Sequence, residues 1–280
     1  MLLSDLFTDE DYQLKMRFHR DGIAEFFQPT APHAALVAER RLWLAAAPKT
    51  YAALLPEGIS LLAEACELAL QFATVPNDSS VRDLSSNSWD QCLALGQIWE
   101  PDFLLLKADA HGAFRLYGGC VCFPSSWNLA EKMGRPLDFI HRVVPDLNQQ
   151  LARQIDGFLG KIRPGISWER ANWGLSRSPE LNQHPERHLP RLDASVAMNE
   201  VWLRVEHQSL VALPRSEGIL FGIRLDIRPL AEVKADPTAA GRLRRALATM
   251  PDEMARYKNL LAARPTLLRL LESDPHGGNL

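Results

Sequence analysis

The chain has 280 residues, 46% of them apolar and 23% charged, with a formal net charge of −3 at pH 7. That is the balance of an ordinary globular protein long enough to bury a substantial core. A slightly acidic chain with no basic run among its aromatics gives no electrostatic case for nucleic acid or an anionic membrane surface.

The acidic N-terminus lacks the basic-then-apolar form of a signal peptide, and no apolar run reaches the roughly 18 residues of a membrane span. Cys66, Cys92, Cys120 and Cys122 are few and irregularly spaced. Such usage is that of a reduced, cytoplasmic protein.

Residues 1–30 mix polar and aromatic segments, which Pro29 and Pro32 close. Residues 33–46, rich in Ala, Leu, Glu and Arg, predict a helix that ends before Pro48. A second helix is predicted from 57 to about 73, where Leu61, Leu62, Ala65, Leu68, Leu70 and Phe72 recur at helical spacing. Residues 76–89 are the most loop-like stretch of the first half, and a short helix around Cys92 to Leu95 follows.

From Phe103 the period changes. Residues 103–108 and 113–122 read as strands flanking Asp109-Ala110-His111-Gly112, a hairpin with Gly supplying the turn. Cys120 and Cys122 lie on one face of the second strand as buried thiols. Pro124 ends that strand, since it has no N–H to give a ladder. Ser125 or Ser126 then caps a short helix over 127–132 that Gly134 stops. Pro136 opens a second turn that delivers His141 from the apolar corner Phe139-Ile140.

An amphipathic helix is predicted over 146–160, with Leu147, Leu151, Ile155, Phe158 and Leu159 on one face. Residues 161–199, with four prolines, read as one long connection, and a loop of that length is usually functional. Strands over 200–213 and 217–227 follow, joined by Pro214-Arg215-Ser216. The remainder is helical to about Glu272, broken at Pro251 and Pro265, with a frayed tail over 274–278. The sum is α+β: one domain over 1–280, an antiparallel sheet of two hairpins with helical extensions at 1–100 and 230–280.

Several chemistries are excluded by absence. The chain has no Gly-x-Gly-x-x-Gly, phosphate loop, His-Glu-x-x-His or Gly-x-Ser-x-Gly, and Cys120-Val121-Cys122 lacks the pattern of an iron–sulfur cluster. His184 and His188 stand four apart, as zinc ligands on a helix do, but Pro185 interrupts the spacing and no third ligand is evident. His141 is either a helix-end cap or a proximal haem ligand, which needs one imidazole in apolar surroundings. His111, in a turn, and His207 are weaker candidates. Arg204, Glu206 and Gln208 share one strand face, with His207 on the other. That face is either solvated, with a weak ion pair, or looks into a cavity where it binds an amine cation and polarises bound oxygen.

The stretch Trp127-x-x-x-x-Lys132-x-Gly134-x-Pro136-Leu137-x-x-Ile140-His141-x-x-Val144-Pro145 resembles the signature of the haem-dependent oxidative N-demethylase family, alpha-subunit type. Arg170-Ala171-Asn172-Trp173 and Leu203 to Ser216 are similar to two further motifs of that family, and Arg224 also matches. His207 stands where the family has a second arginine, and Pro101 is inserted in its Glu-Asp before the first strand.

The resemblance implies a PAS-like haem-binding core that demethylates a small secondary amine such as dimethylamine with O2, releasing formaldehyde. It assigns His141 to the iron and Arg170, Trp173, Trp127 and Lys132 to the haem pocket, with Arg170 on a propionate. It assigns Glu206, Arg204 and Arg224 to catalysis, Arg224 reaching the same pocket if its strand pairs with the first. Electrons would come from reductase subunits carrying FMN and a 2Fe-2S cluster, with tetrahydrofolate to trap the formaldehyde. A haem-based gas or redox sensor and a non-catalytic scaffold are the alternatives, since fold does not fix function.

Overall fold

The computed structural model describes residues 3–72 and 87–272. In chain order the first half runs α1 (Leu3–Leu6), β1 (His19–Asp21), α2 (Ile23–Phe27), α3 (His33–Ala46), α4 (Pro48–Tyr51), β2 (Ala52–Leu54), α5 (Ile59–Gln71) and α6 (Ser88–Ile98). The middle holds β3 (Asp102–Ala108), β4 (Phe114–Cys120), α7 (Leu137–His141), α8 (Leu147–Leu159) and β5 (Ser167–Ser176). It closes with β6 (Trp202–Leu213), β7 (Gly218–Pro229), α9 (Leu230–Ala235), α10 (Pro237–Thr249), α11 (Asp252–Tyr257) and α12 (Arg264–Leu270). None of these helices is long and apolar enough to cross a membrane.

The fold is α+β. Among the described residues a seven-stranded sheet, antiparallel throughout, has the order β1-β5-β6-β7-β3-β4-β2. Side chains alternate between its faces. Phe103 and Leu105 of β3 join Val211, Leu213 and Leu220 beneath α3, α5 and α6. Leu104 and Leu106 point the other way, with Leu116, Leu210 and Ile219, toward Leu129 and Leu159. A third cluster sets α9 to α12 against Leu203 and Val205 of β6 and against Phe7.

Several expected elements appear as read: α3 with its bounds unchanged, the β3–β4 hairpin with Gly112 at φ +83, α8 and the β6–β7 pair. Four differ. The N-terminal segment is not only helical, because its short strands β1 and β2 form both edges of the sheet. The connection over 161–199 contains a ten-residue strand, β5, held between β1 and β6.

No helix forms over 127–132. Ser126 takes φ 63, and the Gly134 N–H and Arg135 carbonyl bond to Leu116 of β4 at 2.7 and 3.2 Å instead of completing helical turns. The break expected at Pro265 falls just ahead of it, over 258–263, with Pro265 in the first turn of α12, and the chain also breaks at Asp236, the cap of α10. Most of the expected loop over 76–89, the end of the helix near 73 and the tail over 274–278 lie outside the described residues.

The inserted Pro101 has a clear place. It sits just ahead of β3 and separates two buried acids that serve opposite sides. Glu100 accepts from Thr30 (2.8 Å) and pairs with Arg224 (2.9 Å). Asp102 pairs with the fully buried Arg40 of α3 at 2.5 Å, and accepts the N–H groups of Cys122 (2.8 Å) and Phe123 (3.0 Å). Cys120 and Cys122 are buried free thiols, as expected. Gly119 leaves no room for a Cβ, because the Phe103 carbonyl of the paired strand occupies its place.

Candidate functional site

A cavity of about 1010 Å³ lies on the Leu104 face of the sheet. Its floor is Leu104, Leu106, Leu116 and Leu210, and its sides come from α7, α8 and the turns that follow β4. The 177–192 segment and the turn after α11 complete the wall. Size and apolar floor suit a bulky, largely apolar ligand with a few polar anchors.

His141 is delivered as expected. Pro136 caps α7, and Leu137, Ile140 and His141, spaced to share one helix face, all line the cavity. Phe139 faces away, between the guanidinium groups of Arg135 and Arg142, 4.8 and 4.1 Å from its ring. Among the described residues neither imidazole nitrogen of His141 has a protein hydrogen bond. Burial, reinforced by the nearby Arg170 cation, pushes its pKa down to about 4. The ring is therefore neutral at physiological pH, with a lone pair to donate.

Arg170 is not a surface residue of a loop. It projects from β5 beside the ring of Phe18, and its Nε donates to Gln208 Oε1 at 2.7 Å. Its two terminal nitrogens have no hydrogen-bond partner among the described residues. Lys132 also lines the cavity with no partner for its ammonium group among the described residues. Trp127 lines the wall among the apolar residues under the sheet. Trp173 contributes too, yet its ring packs edge-on against Phe7 and Tyr12 at 5.3 and 6.5 Å.

The strand face Arg204, Glu206, Gln208 does look into the cavity, with His207 on the opposite face, as expected. The two charges do not pair with each other. Arg204 donates to Ser125 Oγ (2.8 Å) and to the carbonyls of Phe123 (2.9 Å), Leu181 (2.6 Å) and Glu180 (3.1 Å). It ties the turn after β4 to the 180–183 segment. Glu206 accepts from Ser125 Oγ at 2.5 Å and from Gln208 Nε2 at 3.0 Å, and forms no ion pair among the described residues. The chain Arg204–Ser125–Glu206–Gln208–Arg170 fixes the carboxylate in the cavity wall.

Arg224 is a correction. β7 does pair with β6, but Arg224 stands opposite His207, and residues directly opposite in an antiparallel pair share a face. It therefore points away from the cavity. There its guanidinium binds Glu100 and the carbonyls of Phe26 and Gln28, the latter at 2.8 Å. His184 and His188 do not lie on a helix. His184 caps a single 3-10 turn, Pro185–Arg187, and His188 follows with φ 50.

Sequence reasoning missed Ser125, read only as a helix cap, and the contribution of Tyr257 and Lys258 after α11. No pattern shows that a helical tail returns to this wall. Lys258 Nζ donates to the Trp173 carbonyl at 2.7 Å and lies 5.2 Å from its ring. Burial lowers its pKa from the usual 10.5 to about 8, against the pull of Glu206 and with the push of Arg170. The fold therefore penalises the ammonium form fully below that value and is relieved as pH rises toward 10.5. Stability of the unliganded protein is expected to gain from this group across that window, and Lys258→Met to flatten the rise. Denaturation of both proteins at pH 7.5 and 10 checks it.

A family model described as haem-dependent oxidative N-demethylase, alpha subunit-like, matches residues 71–268. The chain belongs to this family. The family is haem-dependent, and the site's chemistry fits that group. A neutral imidazole without a protein partner stands in the wall of an apolar cavity. Two cations lie near it, Lys132 and Arg170, whose ammonium group and terminal guanidinium nitrogens respectively make no hydrogen bond among the described residues, and carboxylates of a bound haem would meet them there. The description alpha subunit-like is that of one chain of a multi-subunit enzyme.

Proposed function

We propose that this chain is the haem-carrying, catalytic subunit of an oxidative N-demethylase for a small secondary amine of the dimethylamine class. The net reaction consumes the amine, O2, two electrons and two protons, and yields the demethylated amine, formaldehyde and water. The observation that carries this reading is the Glu206 carboxylate, held in the cavity wall by the neutral donors Ser125 and Gln208, and feeling Arg170, Arg204 and Lys258 without a direct ion pair to any of them.

Bound haem supplies the activation of O2 and the transfer of electrons to it. His141 would hold the iron, with Arg170 and Lys132 on the propionates and Trp127 against the macrocycle. Glu206 binds the amine N–H through a carboxylate oxygen and so orients one methyl group toward the haem. Arg204 acts through Ser125: it fixes the hydroxyl that presents Glu206, and is a positioning residue. The apolar floor excludes water from the reacting centre. Trp173 supports Lys258 at the rim, and a direct cofactor contact for its ring has no support in its packing. Electrons would come from partner subunits carrying FMN and a 2Fe-2S cluster, with tetrahydrofolate as formaldehyde acceptor, in the cytoplasm.

Haem-loaded protein given O2 and dimethylamine together with an excess of a chemical electron donor, which can deliver the two electrons each turnover needs, is expected to release formaldehyde. Oxidation of the haem with no formaldehyde would instead favour a gas or redox sensor. A charge-assisted hydrogen bond contributes about 1.5–3 kcal/mol. Glu206→Gln should therefore raise the dimethylamine concentration for half-saturation about 10- to 100-fold, with haem content unchanged.

A further inference from the structure

The cavity wall holds a donor that no protein group answers. His184 is 3% exposed and lines the cavity, and its Nε2 has no hydrogen-bond partner among the described residues. The other ring nitrogen is committed, since Nδ1 accepts the backbone N–H of Glu186 at 3.3 Å. A neutral imidazole carries one proton, and with Nδ1 accepting, that proton sits on Nε2. Buried N–H groups without an acceptor are rare in native folds, and each calls for a physical reason.

The ring is not free to turn away. Its backbone N–H donates to Asn182 Oδ1 at 2.9 Å, Asn182 Nδ2 donates to the Tyr51 hydroxyl at 2.9 Å, and the Tyr51 ring meets the imidazole edge-on at 5.7 Å. The preceding residue, Gln183, is bridged to Ser125, whose hydroxyl donates to Glu206. The segment that carries His184 is therefore tied to the serine that holds the Glu206 carboxylate of β6.

We propose that the Nε2–H of His184 is the hydrogen-bond donor this cavity gives to an oxygen acceptor of its guest. The inference rests on the haem reading above. Two sources carry the acceptor chemistry, a haem propionate and a diatomic ligand on the iron. The tautomer also separates His184 from His141: a protonated Nε2 donates a hydrogen bond and cannot ligate iron.

The test uses the full chain as wild type, His184→Phe and His184→Gln, loaded with protohaem or its uncharged dimethyl ester, with carbon monoxide as the diatomic probe. If the acceptor is on the iron, the C–O stretch rises in His184→Phe and returns toward wild type in His184→Gln, which keeps an N–H donor. If it is a propionate, His184→Phe binds protohaem a few-fold to about tenfold more weakly. That difference vanishes with the dimethyl ester, and His184→Gln restores the affinity.

An unchanged stretch together with unchanged affinity for both haems overturns the inference. So does equal loss in both variants with a fall in thermal midpoint, which would mark His184 as a cap alone. A wild type that takes up no haem overturns the proposed function itself, and this inference with it.

Discussion

Replacing His141 with Ala should abolish the spectrum of ligated haem while leaving the fold intact. The imidazole ends a five-residue helix and makes no hydrogen bond among the described residues, so its loss removes little that holds the chain together. A half-buried side chain of this kind usually changes stability by under about 1 kcal/mol. Haem affinity is a different matter. Loss of a group that merely orients a metal ligand costs about 10- to 100-fold, so loss of the ligand itself should exceed that range. His141→Gly with imidazole in the buffer should recover a ligated band, because the cavity then admits the free base. Absorption spectra of the variants, read beside their urea midpoints, separate a lost ligand from a lost fold. An unchanged band in His141→Ala would assign the iron to another histidine.

Asp102→Ala should be among the most destabilising single changes in the chain. Arg40 is fully buried, and its guanidinium is satisfied by Asp102, the Gly96 carbonyl and a contact to Cys120 Sγ. Removing the carboxylate leaves that charge buried and unpaired, which costs about 3–5 kcal/mol, against a total of about 5–15 for an ordinary domain. It also strips acceptors from the N–H groups of Cys122 and Phe123. Asp102→Asn keeps one acceptor oxygen and should fall between the two.

The consequence reaches the cavity. Asp102 holds the turn after β4 by the Phe123 N–H, and Arg204 holds the same turn by the Phe123 carbonyl. Losing the first anchor should weaken haem binding as well as folding. Urea unfolding of the unliganded proteins, followed by haem titration at a temperature where each is folded, checks both parts.

Residues with strong local periodicity were legible in the sequence. The helix-forming composition of α3, the apolar spacing of α8 and the apolar, partly β-branched run of β7 specify their own structure. So does the alternation of Arg204, Glu206 and Gln208 on β6. The short strands β1 and β2 carry too few residues for any period to emerge, and only pairing with β5 and β4 makes them strands. β5 reads as loop because Ser-Trp-Glu-Arg-Ala-Asn-Trp-Gly-Leu-Ser has polar residues on both faces. It has a cavity on one side and an aromatic cluster on the other, and neither is visible locally.

The site divides the same way. His141 and Glu206 could be nominated from the chain, since one follows a proline-capped apolar turn and the other a period-two face. Arg224 could not be assigned to a face without the β6–β7 register, and a one-residue shift would have reversed it. Ser125, His184 and Lys258 converge on the cavity from segments far apart in sequence, and nothing in their neighbours announces it. The helix expected over 127–132 failed for a tertiary reason: β4 offered its edge to Gly134 and Arg135, and those bonds outweighed local capping.

The measurement that tests the account most directly is a titration of the haem-free, full-length protein with haem, followed by Soret absorbance and by quenching of tryptophan fluorescence. Trp127 and Trp173 line the cavity, so a haem seated there must quench them. The account predicts that both signals saturate together at equimolar haem, with tight binding that His141→Ala destroys. Haem uptake that never saturates, or a Soret band that grows while tryptophan emission stays constant, would contradict a haem site in this cavity.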